Sequence, residues 1–453
     1  YYGGNIVKRL IAIWLLVSAL SACSIVAANE AIAIREPVDY VNVFIGTDKF
    51  EGRTRWGAYG GTYPGAVAPF GMIQMTPETS RREPRGYYYS QSQILGFSLV
   101  NHKSGYPNGS AGDLFIMPFV GDLSNIEEGY SASFSHANEQ ASPGYYRVLL
   151  DDYDIEVEFA AAQRSGMVRF TFPEGRDAYI IIEVGKENLT VDNNCTTISG
   201  VHKNYWFVME FEQPFSVIGE VGQGVYVCFA PSSTKTILMK VGMSMVSING
   251  AQVNMDTELL GWDFDGLRKK TSEAWAKELG KIDISGGTYE QKTIFYTALY
   301  HSFLLPHVSS DVDGHYRGAD GQVYLDLQRT HYTVFSPWDT FRTLHPLLTL
   351  LMPDRQSDMV HSLITMYEQS GRLLTGPMTG NHAVPIIVDS YFKGAANFDI
   401  GLAYQAMHAA LLEPPYGRPD IAEYTIFGYV PAELDYSVTK TLEYSYDDWA
   451  LSR

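Results

Sequence analysis

The sequence predicts a multidomain β + α chain, an antiparallel β-sandwich followed by a helical domain, and three observations carry that reading. At 453 residues the chain is about three times the length of a typical domain, which allows two large ones. From about Val38 to Gly250, short β-branched and aromatic runs recur between Gly, Pro, Asn and Asp. After Gly286-Gly287 the apolar spacing lengthens to that of helices.

Strand signals fall at 148–150, 155–159, 167–172, 179–184, 205–211, 225–229 and 236–241. Several alternate, as in Ile155-Glu156-Val157-Glu158-Phe159, and many short strands at this spacing build a sandwich of antiparallel sheets. Residues 256–279, with Leu259, Leu260, Trp262, Leu267 and Trp275 among Lys and Glu, read as a linking helix. Beyond it, Thr288 and Gln291 form a capping box ahead of the stripe Phe295, Ala298, Leu299 and Phe303. Pro353-Asp354 opens a second helix whose apolar face is Met359, Val360, Leu363 and Tyr367, with Gly371 as its stop. Residues 398–412 and 437–451 predict two more helices, and Pro337 marks a fifth. The implied units are a leader at 1–28, a sandwich at 36–255, the linking helix at 256–279 and a helical domain at 280–453. A sandwich followed by antiparallel helices is a plan found in carbohydrate enzymes, where the helices pair into an (α/α) toroid.

Composition narrows the function classes. With 33 Lys+Arg against 51 Asp+Glu the net charge is -18, so nucleic acid is not expected as a partner, because phosphate binding needs clustered cations. The 31 Tyr, 22 Phe and 7 Trp suit either sugar stacking or a Tyr-rich sheet. Lys8 and Arg9 precede an apolar run at 10–20 that ends in Leu20-Ser21-Ala22-Cys23, a signal-peptide core closed by a lipobox-like motif. The expectation is an exported protein, in the periplasm or at the cell surface, held to a bacterial outer membrane by a lipid on Cys23. A secretory signal cleaved near Ala27 or Ala28 is the alternative. Residues 1–6 read as lying ahead of the true start. Beyond Cys23 only Cys195 and Cys228 remain, and whether they pair is open.

Four polar clusters could carry chemistry. Ser336-Pro337-Trp338-Asp339-Thr340-Phe341-Arg342 is a good helix start on its own, and it also offers Trp338 for stacking, Asp339 for sugar hydroxyls and Arg342 to hold that carboxylate. Gly376-Pro377-Met378-Thr379-Gly380-Asn381-His382 is a helix connection that could present Asn381 and His382 to a pocket. Asn101-His102-Lys103 is a loop in which a lone His is more often without a role. Glu443, Asp447 and Asp448 lie near one helix face, a pattern that fits acid/base work, a calcium site or solvated surface. No GxSxG, P-loop, HExxH or EF-hand loop occurs.

Taken together, several stretches resemble glycoside hydrolase family 92, the exo-acting bacterial α-mannosidases. They are Tyr40-Val41-Asn42-Val43-Phe44-Ile45-Gly46-Thr47, Tyr63-Pro64-Gly65-Ala66-Val67-Ala68-Pro69-Phe70-Gly71-Met72, Gly96-Phe97-Ser98 to Gly112-Asp113, and Gly286-Gly287-Thr288 to Tyr300-His301. The series continues with Trp338-Asp339-Thr340-Phe341-Arg342, Gly380-Asn381-His382 to Gly394, and Thr441-Leu442-Glu443-Tyr444-Ser445-Tyr446-Asp447-Asp448-Trp449. The resemblance implies a β-sandwich on an (α/α)6 toroid, incomplete in this chain, with the active site at their junction and a bound calcium ion. It implies hydrolysis, with inversion, of terminal α-mannosides such as those of high-mannose N-glycans or mannan. Asp339 maps onto an aspartate of the mannose pocket, while the loop around His102 departs from the family pattern. The catalytic acid, a His-Glu pair and the base follow the Tyr-Asp-Asp-Trp segment in the family, which places the acid and base beyond Arg453. The expectation is therefore a fragment with no catalytic residue of its own, inactive by itself, whose substrate-binding residues are Trp338, Asp339, Arg342, Asn381 and His382. Inversion makes the same demand, since acid and base must stand roughly 6.5–9.5 Å apart across the sugar. The competing readings are a carbohydrate-binding or structural surface lipoprotein, and another toroid glycosidase or glycoside phosphorylase.

Overall fold

The computed structural model describes residues 35–48, 61–80, 86–101, 112–123, 129–229, 236–373, 378–413 and 418–453. Cys23 and the leader, His102, and Gly376-Pro377 lie outside the described residues.

Two antiparallel sheets face each other. One has seven strands in the order Ala66–Val67, Gln74–Glu78, Gly96–Val100, Asp113–Phe119, Ala178–Ile182, Gly224–Phe229 and Val217–Val221. The other has eight, in the order Leu189–Val191, Thr197–His202, Tyr205–Phe211, Thr236–Ser244, Ser165–Thr171, Ile155–Ala161, Tyr145–Leu150 and Glu139–Ser142. The alternating Ile155 strand shows why they stack. Ile155, Val157 and Phe159 are fully buried between the sheets, and Phe159 meets Phe97 of the facing sheet edge-on at 5.1 Å. On the opposite face of that strand Glu158 is also buried, which its charge permits because Arg169 and Tyr145 both bond it, at 2.6 and 2.7 Å. Cys195 and Cys228 are free thiols.

The linking helix expected at 256–279 is two helices, α1 (Ile248–Glu258) and α2 (Phe264–Leu279). Gly261 takes the left-handed φ of +73° and Asp263 caps the new helix by accepting the Gly266 N–H at 2.8 Å, so the chain turns where a continuous helix was predicted. α1 lies on the eight-stranded sheet, where Glu258 receives Arg164 and Ser165. α2 reaches the helical domain, and its fully buried Trp275 donates from Nε1 to the Val67 carbonyl at 2.7 Å. One apolar cluster therefore joins Val67 and Phe70 of the first domain to Trp275, Tyr300, Phe303 and Leu363 of the second.

The helical domain continues with α3 (Tyr289–Ser302), α4 (Pro337–Thr340), α5 (Leu344–Leu351), α6 (Pro353–Ser370), α7 (Ala383–Phe392), α8 (Ile400–Leu412), α9 (Ile421–Phe427) and α10 (Ser437–Ser452). Both bonds of the Thr288/Gln291 capping box form, and Gly371 ends α6 at φ +71°. The sequence pattern does not foretell the short helices α5 and α9, nor α7. In α7 the Ile386-Ile387-Val388 run is β-branched and gives no helical stripe because nearly all of it is buried. A pair of small antiparallel ladders at 307–333, between α3 and α4, is likewise new. Among the described residues no helix is long and apolar enough to cross a membrane.

Candidate functional site

Three segments distant in sequence meet in the helical domain. They are the end of α4 with Phe341 and Arg342, the 378–382 loop that opens α7, and one face of α10. His382 takes the N-cap position of α7 with its side chain fully enclosed. Glu443 and Asp447 stand one turn apart on α10, so both carboxylates point the same way. His382 Nε2 lies 2.7 Å from Glu443 Oε2, and its Nδ1 lies 3.3 Å from Asp447 Oδ1. The other oxygen of Asp447 accepts the Asn381 backbone N–H at 2.7 Å. The Phe341 ring meets the imidazole edge-on at 4.4 Å. Gly380 makes the arrangement possible. Its φ is +86°, and a Cβ there would sit 2.5 Å from His382 Cε1.

Burial sets the electrostatics of this trio. It pushes the Asp447 carboxyl up to about 7, against the Asn381 N–H and Arg418 and with the Glu443 and Asp448 charges adding to the rise. Burial also holds the His382 imidazole below its ordinary range, against the pull of Glu443. Around pH 7 Asp447 is therefore poised between its protonated and ionised forms, beside a neutral imidazole that can donate to Glu443. Behind it, the buried Arg418 guanidinium bonds the Tyr444 carbonyl at 2.9 Å and Asp448 at 2.7 Å, which ties α10 to the chain after α8.

The outer side of Glu443 opens on a cavity of about 690 Å³ shared with Phe341, Arg342, Asp389, Lys393 and Tyr446. That volume and this mix of rings with a few charges suit a small polar ligand. Arg342 Nη2 stands 3.9 Å from Glu443 Oε1, so the cavity offers a cation, a carboxylate and two aromatic rings together.

The expected binding residues divide. Arg342, Asn381 and His382 are brought to one place. Arg342, however, does not hold Asp339 as anticipated. The Ser336 hydroxyl bonds that carboxylate, and Arg342 turns to Glu443 because α4 ends after one turn. Asp339 is exposed, and Trp338 is half-buried, its indole N–H enclosed with no partner among the described residues. Neither bonds the His382 trio among the described residues. Asn381 is buried, and both its amide atoms lack a partner there. Arg453, beyond which the acid and base are expected, closes α10 with an exposed side chain, and its backbone N–H donates to the Ala450 carbonyl at 3.2 Å. The sequence did not join His382, Glu443 and Asp447 into the buried trio that they form ahead of Arg453. The depth of Glu443 and Asp447 is what the sequence pattern failed to reveal. The available signal was their one-turn spacing opposite an Asn-His loop, but spacing alone does not distinguish a buried face from a wet one. The trio does not fit calcium, which takes six to eight oxygens. Here both carboxylates are turned on an imidazole, and one oxygen is already committed to a backbone N–H.

Residues 40–244 match the Glycosyl hydrolase family 92 N-terminal domain, and residues 250–453 match the Glycosyl hydrolase family 92 catalytic domain. The fold is similar to that of the family GH92 α-mannosidase BT3965 from Bacteroides thetaiotaomicron, with 32% identity and a TM-score of 0.82 over 92% of this chain and 62% of that one. BT3965 is also known in complex with mannoimidazole. The family GH92 inverting mannosidase BT2199 from Bacteroides thetaiotaomicron VPI-5482 gives 27% identity and a TM-score of 0.82, over 93% of this chain and 62% of its own length. An uncharacterized secreted glycosidase of Arthroderma benhamiae is 24% identical over 97% of this chain and 62% of its own. The chain thus spans somewhat less than two thirds of each of these relatives.

Proposed function

The chain belongs to glycosyl hydrolase family 92, and from that membership we propose that the whole protein hydrolyses terminal α-mannosidic bonds, of the α-1,2 type, with inversion, in the breakdown of N-glycans or mannan. The observation that carries the reading is the backbone likeness, over 92% of the chain, to an α-mannosidase. The 690 Å³ cavity at Arg342 and Glu443 supports it with a ligand-sized space.

In this reading the chain contributes recognition. Trp338 offers a ring to a sugar face, Asp339 accepts sugar hydroxyls, and Arg342 with Glu443 borders the cavity. Asn381 and His382 fix the wall from behind, with Asp447 orienting the imidazole. Inversion needs an acid and a base roughly 6.5–9.5 Å apart with water between them. Glu443 bonded to His382, and Asp447 fully enclosed, do not offer that pair to a sugar. We place the acid and base beyond Arg453, in the share of the family's length that this chain does not span. A bound calcium ion belongs to the same proposal, by family resemblance. The exposed apolar residues of the last helices, Tyr404, Phe427, Leu442 and Trp449 among them, suit a surface that the whole protein covers. Export follows the secreted relative, with attachment through a lipid on Cys23.

The test is hydrolysis of α-1,2-mannobiose followed by proton NMR. The whole protein is expected to release β-mannose first, in a calcium-dependent reaction, and this chain alone to give no turnover. Cleavage of α-glucosides in preference to α-mannosides refutes the substrate assignment. Calcium-dependent turnover by this chain alone refutes the placement of the acid and base.

A further inference from the structure

Away from the cavity, Asp326 and His331 lie on the loop that follows the Val323–Leu325 strand, and His361 lies on α6. One ligand atom from each of the three comes within 4.8 Å of the others. Asp326 Oδ1 is occupied, because it accepts the backbone N–H groups of Gln328 at 2.9 Å and Arg329 at 3.1 Å. Oδ2 is thereby aimed at the two imidazoles, 3.3 Å from His331 Nε2 and 3.4 Å from His361 Nε2.

Those two distances bear on what the cluster holds. A carboxylate bonded directly to imidazole N–H groups draws them in to about 2.7–2.9 Å. Ligand atoms bound about 2.0–2.2 Å from a tetrahedral zinc ion stand about 3.3–3.5 Å from one another. The observed separations lie at the long limit of the first and match an edge of that tetrahedron. The His331 ring is also held in place without its Nε2 atom. His331 stacks on Tyr316 with centroids 3.5 Å apart, and Gln369 of α6 donates to the Tyr316 hydroxyl at 2.9 Å. The nearby cation Arg329 is engaged by Asp358 and Asn397. Asp326 also lines a crevice of about 200 Å³ with Ser310 and Thr330, and the side chains of Asp326 and His361 are about one fifth exposed, which gives an ion a way in.

We propose that Asp326, His331 and His361 form a binding site for a divalent transition-metal ion of the zinc class, with water in the fourth position. Two imidazoles and one carboxylate select such an ion over calcium or magnesium, which prefer oxygen alone. The ion pins the 326–331 loop to α6. It is independent of the proposed mannoside chemistry and is expected whether or not that reading stands.

The test uses the full chain after dialysis against a chelator. Co²⁺ is expected to bind one per chain and give the visible absorption of a tetrahedral N/O site, and Zn²⁺ to bleach it by displacement. Zn²⁺ is expected to raise Tm, and Ca²⁺ at the same concentration to leave it unchanged. His361→Gln and Asp326→Asn are both expected to weaken Co²⁺ binding by at least about tenfold and to abolish the Zn²⁺ shift. The Asn variant keeps the acceptor for Gln328 and Arg329, so it remains informative if the His361 variant folds poorly. An octahedral Co²⁺ spectrum, equal stabilisation by Ca²⁺, or unchanged affinity in Asp326→Asn overturns the proposal.

Discussion

Asp447→Asn tests the electrostatic account of the His382 cluster most directly. The wild-type carboxyl is enclosed and pushed up to about 7, from an ordinary value of about 3.9. A folded-state value above the unfolded one means that the folded chain holds an extra proton between those two pH values. Its contribution to stability is therefore fully present below pH 4 and is lost as pH rises through 7. Asn imitates the protonated acid. Its carbonyl can accept the Asn381 N–H, and its amide can face His382 Nδ1. The variant keeps the contacts and drops the titration. Between pH 5 and pH 8 it should gain on the wild type by about 2–3 kcal/mol, the pH span up to 7 at about 1.4 kcal/mol per unit, with part of that shared by His382 and Glu443. Urea unfolding of both proteins at pH 5, 6, 7 and 8, at one ionic strength, measures the difference and cancels other titrating groups. Curves that run parallel across this range contradict a buried, proton-holding Asp447, as does a variant that falls further behind as pH rises.

Other expectations follow from single contacts. Arg418→Ala leaves the Tyr444 and Leu411 carbonyls and Asp448 without their buried cation and should cost about 3–5 kcal/mol, read by urea unfolding. Trp275→Phe removes the Nε1 bond to Val67 across the domain junction and should cost about 1–3 kcal/mol. Its hydrogen-exchange signature should be faster exchange in both domains near the junction. Burial pushes His345 down to about 4, so the stability it contributes is complete above pH 6.5 and lost as pH falls toward 4. His345→Gln, which can still donate to Gln356, should flatten that acid limb. If it leaves the limb unchanged, His345 is not among the groups that set it. Asp339→Asn should weaken α-mannoside binding about tenfold or more with little change in Tm, because the carboxylate is exposed and bonded by the Ser336 hydroxyl. Equal affinity for the two proteins, measured by calorimetry, removes Asp339 from the sugar site.

Local signals carried the fold a long way. Alternation at 155–159, the Thr288/Gln291 capping box and the Gly371 stop each act within a few residues, and each is where the sequence placed it. The misreadings arose where local pattern was ambiguous. Gly261 splits a helix inside a continuous apolar pattern, and Ile386-Ile387-Val388 gives no helical stripe because burial on nearly all sides erases the contrast.

The order of residues was enough to establish a sandwich followed by helices and a place among the family 92 glycosidases, and it singled out Trp338, Asp339, Arg342, Asn381 and His382 as candidates to meet a sugar. Which of these come together was settled by packing. Sixty-one residues separate His382 from Glu443, yet their side chains lie 2.7 Å apart. Arg342 turns to Glu443 because α4 stops after one turn, and Asp447 becomes a buried acid because the 378–382 loop closes over it. Periodicity reports how a segment faces its neighbours in general. Which carboxylate loses its water depends on the long-range contacts that bring a particular neighbour against it.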